Sequence, residues 1–120
     1  MSRAFLIGTG RESRIEDLDR LIDLELVQES VGGVVKAVTL QPMFGLLGPD
    51  EPPRVAIMWV NRDGHRRNLP PNFVATSIAR MLWTVYPDEM VVGAVLITGG
   101  ATDEGVLLDA PDWVSSALTG

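Results

Sequence analysis

No cysteine occurs anywhere in the 120 residues of this chain. That removes disulfides, zinc–thiolate clusters, iron–sulfur centres and thiol nucleophiles together. A single histidine, His65, also rules out a cage of several histidines around a metal. Nothing covalent or metallic staples such a chain, so its fold must rest on a hydrophobic core. One domain of this length can bury a core large enough. Hydrophobic residues make up 46% and charged residues 22%. These are the proportions of a globular protein rather than a disordered one.

The formal net charge is −6, and it is unevenly distributed. Residues 54–80 carry Arg54, Arg62, Arg66, Arg67 and Arg80 against Asp63 alone, a local excess of +4 that leaves −10 for the remainder. General nucleic-acid binders are basic overall, so general nucleic-acid binding is not expected. No apolar run approaches the roughly 20 residues of a transmembrane helix, and Ala4-Phe5-Leu6-Ile7 is too short for a signal peptide. The expectation is a cytoplasmic protein without membrane attachment.

Ala4–Ile7 reads as a short strand, broken by Gly8-Thr9-Gly10. Ser13-Arg14-Ile15-Glu16 has the form of a capping box. Ile15, Leu18, Ile22 and Leu26 follow at helical spacing, which predicts a helix over 14–26, with a break near Leu24 and a stop by Gly32-Gly33. Val34–Leu40 and Arg54–Asn61 read as strands, the second as central. Gln41–Pro53, with four prolines and two glycines, fits no regular element. Asn61-Arg62-Asp63-Gly64 predicts a bulged hairpin turn, with His65–Leu69 returning as a strand. Asn72 caps a second helix carrying the stripe Val74, Ile78, Met81 and Leu82, ended by Pro87. Met90–Thr98 is an apolar strand broken at Gly93. Thr102–Gly105 is a turn before a short strand, Val106–Leu108. Asp109 or Asp112 caps a terminal helical turn.

Three segments carry a likeness to known proteins. They are Val27–Gly33; Val60–Gly64 with Leu69-Pro70-Pro71-Asn72-Phe73-Val74-Ala75-Thr76; and Val92–Gly99 with Asp103-Glu104-Gly105. In order and spacing the chain resembles, over about residues 24–108, a family of small uncharacterised proteins common in bacteriophages, plasmids and other mobile elements. Lys36 and Thr39 stand where that family usually has an acidic residue. The resemblance implies a viral or mobile-element accessory protein working inside a bacterium, and it implies no reaction.

Gly8-Thr9-Gly10-Arg11-Glu12-Ser13 resembles a dinucleotide loop, but Ser13 replaces the third glycine and no acidic residue ends the next strand. It reads as a turn, and no cofactor is expected. His65 beside two arginines lacks an orienting partner for a triad. Asp103, Glu104, Asp109 and Asp112 read as solvated acids rather than a cation loop, so no metal is expected. Arg62, Arg66, Arg67, Asn68 and Asn72 form the candidate anion site, because arginine forks and free amides at a helix start both favour anions. The alternative is edge charge that blocks unwanted strand pairing. Met43, Phe44, Leu46 and Leu47 are apolar within a loop. They read either as an interface or as a lid on the sheet's open face. Trp59, Trp83 and Trp113 read as core or interface anchors.

The expected fold is α+β, an antiparallel or mixed sheet of about four to five strands with two main helices packed on one face. A homodimer is the expected assembly. Three functions stay open: a non-catalytic accessory protein that binds a host or self protein through apolar and acidic surface, a binder or sponge of a small anionic ligand such as a nucleotide signal, and a hydrolase.

Overall fold

The computed structural model describes residues 2–9, 14–20, 22–82 and 89–119; Ser13, Trp83 and Pro87 lie outside them. One five-stranded sheet has the order β2-β1-β5-β4-β3, antiparallel at every pairing. The strands are β1 (Ser2–Ile7), β2 (Ile15–Arg20), β3 (Val35–Leu40), β4 (Ala56–Asn61) and β5 (Val95–Gly99). Helices α1 (Leu24–Val31), α2 (Phe73–Met81) and α3 (Asp112–Thr119) complete the α+β fold. The central strand is β5, not the Arg54–Asn61 segment expected there. Every residue of β5 is buried, as its apolar run Val95-Leu96-Ile97 leads one to expect of a central strand.

Alternation along the strands sorts side chains onto two faces. Phe5, Ile7, Met58, Val95 and Ile97 form one core with Ala75, Ile78 and Ala79 of α2, with Leu82 just past its end, and with Trp113 and Val114 of α3. Ala4 and Leu96 form a second core on the other face with Ile22 and Val27, joined by Leu26, Trp59 and Leu107. Helix α1 therefore covers the face opposite α2 and α3. This corrects the expectation of two main helices on one face.

The helix expected over 14–26 is half strand. Residues 15–20 pair with all of β1, from Ile7↔Ile15 to Ser2↔Arg20. The 3–4 spacing of Ile15, Leu18 and Ile22 is real, but pairing with the open edge of β1 makes residues 15–20 a strand instead. Only Leu18 of that strand joins a core. Arg3 reinforces the pairing by donating to Asp17 through Nε at 3.2 Å and Nη2 at 2.9 Å, and its hydrogen bond holds the exposed Asp17 carboxyl below its ordinary range. The helix proper begins after Asp23, whose side chain accepts from Leu26 N–H at 2.8 Å. It ends as expected, with Gly32 at φ 80°.

Residues 62–68 make a compact turn rather than a hairpin with a return strand. Leu69 N–H donates to Gly64 O and Asn68 N–H to His65 O, the paired bonds that close a helical end, with Asn68 at φ 54° in the left-handed position. Glycine was expected to take that role at 64; the asparagine takes it at 68. The terminal helix is also capped from a distance. Glu51, not Asp109 or Asp112, accepts from Trp113 N–H at 3.0 Å, while its other oxygen holds Gly48 N–H. The 41–53 loop is thereby fastened to α3.

Candidate functional site

The basic stretch does not converge. Arg66 reaches Asp63 at 3.3 Å, and Arg62 lies 3.9 Å from the same carboxylate. Arg67 donates through Nη1 to Gly32 O at 3.0 Å, closing the carboxyl end of α1, where the helix dipole favours a cation. Asn68 serves the turn through its backbone. Asn72 is fully buried: its Oδ1 accepts from Ala75 N–H at 3.0 Å, and its amide donates to Ile7 O and Gly93 O, both at 3.0 Å. Its side-chain amide is committed inside the protein. What remains open is a crevice of about 150 Å³ with Lys36, Arg62 and His65 among its walls, and Glu89 beside them.

The loop candidates also separate. Leu46, in a short 3-10 turn at Phe44–Leu46, and Leu47 pack against the chain's own first core. Met43 is exposed. Nothing in residue spacing distinguishes those two outcomes, because Met43–Leu47 is apolar throughout.

A different site lies on the α1 face. It is a cleft of about 450 Å³ with Trp59 and Ala101 in it, walled by Ile22-Asp23-Leu24 on one side and Gly105-Val106-Leu107 on the other. Three pieces of sequence logic position those walls. Asp23 must sit outside the helix to cap it, which holds Ile22 and Leu24 at the cleft mouth. Thr102 builds the opposite wall: its N–H donates to Val106 O, its carbonyl takes Gly105 N–H, and its hydroxyl accepts from Val106 N–H. Gly105 adopts φ 82°, so the turn can close. Trp59 projects from β4 and donates its indole Nε1–H to Thr98 Oγ1 at 3.0 Å.

The indole N–H has its acceptor, and Asp23, the one ionisable lining residue among those described, gives one carboxylate oxygen to the helix cap. Yet Leu24 is 57% exposed and Val106 58%. A cleft with mostly apolar walls and an aromatic ring whose N–H is already bonded suits an apolar side chain or a neutral apolar ligand, and its volume is within the range of small-ligand pockets. The surrounding surface is acidic, with Glu25, Asp103 and Glu104 exposed on the two wall segments. A second groove shares Ala101 and adds Val55, Leu108 and Pro111 between Arg54 and Asp109.

Sequence reasoning reached Trp59 as an anchor but not the cleft. Its available signal was Val106-Leu107-Leu108, three apolar residues after a turn, which read as a strand. In the fold only Leu107 bridges, to Ala101, while Val106 and Leu108 face out. No family model, curated protein or solved structure matches the chain.

Proposed function

We propose that the chain is a non-catalytic binding protein that takes an apolar side chain of a protein partner into the cleft over Trp59. The supporting observation is the exposure of Leu24 and Val106 at the mouth of a preformed apolar cleft. Burying them against a partner recovers free energy that water otherwise withholds, at about 25 cal/mol per Å². The acidic rim selects a partner whose apolar anchor is flanked by lysine or arginine. An apolar centre inside a charged rim is the usual anatomy of an energetic hot spot.

Nile red, a neutral apolar dye, tests the cleft directly. It should bind the wild-type protein with a fluorescence gain, and a Leu24→Glu, Val106→Glu double variant should weaken that binding at least about tenfold, or 1.4 kcal/mol. Both side chains are exposed, so the unfolding midpoint should hardly move. Equal dye binding by the folded variant would put the apolar site elsewhere.

A second reading draws on the crevice of Lys36, Arg62 and His65: a small anion, such as a nucleotide, held at the edge of the turn. Thermal shift against inorganic phosphate and nucleotides should then show a stabilisation that salt removes and that Lys36→Ala, Arg62→Ala abolishes. Screening of exposed charges over about 10 Å at 0.1 M salt supplies the salt dependence. Stabilisation that survives the double variant would reject this crevice.

A further inference from the structure

The two edges of the sheet are built differently. The outer strand β2 reads Ile-Glu-Asp-Leu-Asp-Arg, and its charges discourage any added strand. The opposite outer strand, β3, reads Val-Lys-Ala-Val-Thr-Leu. It is six residues long, β-branched or aliphatic at most positions, and free of proline and glycine. All six residues pair with β4 in unbroken register, so no bulge turns its far side away.

The hydrogen-bond alternation identifies which groups face outward. Arg62 N–H donates to Val34 O across the β3–β4 ladder. In an antiparallel ladder the bonded pairs recur every second residue. Lys36, Val38 and Leu40 therefore bond to β4, whereas Val35, Ala37 and Thr39 turn their N–H and C=O groups to the outside. Among the described residues no strand takes them up.

From this edge we propose that two copies of the chain pair through β3, antiparallel about a two-fold axis at Val38, to form a ten-stranded sheet. The register follows from electrostatics. Outward groups must meet outward groups, which leaves two registers that overlap the strands well. An axis at Ala37 sets Lys36 across from the partner's Val38 and makes the two lysines diagonal neighbours about 7–8 Å apart. An axis at Val38 sets Lys36 across from the partner's Leu40 and moves the lysines roughly four residues, or 13 Å, apart. The second register also bonds Ala37 with the partner's Thr39 in both directions and brings the two Val38 side chains into a close, non-bonded pair. Like charges in contact are avoided only there. The pairing carries both Trp59 clefts on one face of a continuous sheet, their strands roughly 14 Å apart at three strand spacings, so the assembly presents two clefts to one partner surface.

The experiment uses the absence of native cysteine. Wild-type protein at 0.1 mM should show twice the chain mass by light scattering and native mass spectrometry. Ala37→Pro removes an outward N–H and no bond to β4, so it should yield a folded monomer. Val38→Cys should form a covalent dimer on mild oxidation, because directly opposed non-bonded positions lie within disulfide reach. Ala37→Cys should cross-link at least tenfold more slowly. The cysteine pair decides the register even if the proline variant does not fold. A monomeric wild type, a dimer that survives in folded Ala37→Pro, or faster cross-linking at 37 than at 38 would each overturn the proposal.

Discussion

Replacing Asn72 with alanine should lower the unfolding free energy by about 3–5 kcal/mol, a loss of one helix cap and two satisfied buried carbonyls. The asparagine is fully buried where three elements meet. It caps α2 through Ala75, ties the end of β1 through Ile7 O, and ties the approach to β5 through Gly93 O. Alanine deletes the cap, worth about 1 kcal/mol, and takes a donor from each of two buried carbonyls, at about 1–2 kcal/mol each. For a small domain the midpoint should fall on the order of 10–20 °C. Asn72→Asp separates the roles, since it keeps the acceptor and loses both donors. It should destabilise at least as much, because the carboxylate would be buried facing two carbonyls. Urea denaturation checks both variants. A loss of only 1 kcal/mol for alanine would mean that the cap alone matters.

Gly99→Ala should cost about 4–6 kcal/mol, for a steric reason rather than a conformational one. A Cβ on Gly99 would overlap the Asp109 carbonyl oxygen and lie 2.9 Å from Leu108 O. These are backbone atoms and cannot rotate away. To admit the methyl, residues 107–110 must lift from the sheet. That strains the bonds from Gly99 N–H to Leu108 O and from Leu108 N–H to Gly100 O, and the tie from Arg3 N–H to Asp109. Overpacking alone costs about 1–3 kcal/mol, and strained hydrogen bonds add about 1 kcal/mol each. Because Leu107 moves with this segment, Nile red affinity should fall as well. Thermal unfolding and dye titration on the same sample would show both effects. A wild-type midpoint would mean that the 107–110 segment is not held against β5.

The parts of this fold that a reader of the sequence can find are those governed by local chemistry. Gly32 ends α1 because a left-handed residue is needed there. Asn72 caps α2 because an amide can reach back to the third N–H. The apolar runs of β3, β4 and β5 need no partner to be recognised as strands. Where a choice depended on a distant partner, local reading failed. Ile15, Leu18 and Ile22 repeat every three to four, and only pairing with the open edge of β1 makes residues 15–20 a strand. The α2 stripe is rotated relative to expectation: Ala75 and Ala79 are buried while Met81 is exposed, because small residues let the helix sit close to the sheet. Arg67 looked like a ligand for anions, yet the nearby carboxyl end of α1 gives it a carbonyl to hold. The cleft was hidden for the same reason. Its walls come from residues 22–24 and 105–107 and its ring from residue 59, and no spacing rule joins them.

Site-specific photo-crosslinking inside cells tests most directly whether partners are bound at the cleft over Trp59. A benzophenone side chain would be placed at position 106, on the cleft wall, and separately at position 66, on the basic turn. The account predicts one dominant adduct from position 106, lost when Leu24→Glu is added, and little from position 66. An adduct from position 66 alone, or one from position 106 that Leu24→Glu leaves unchanged, would contradict it.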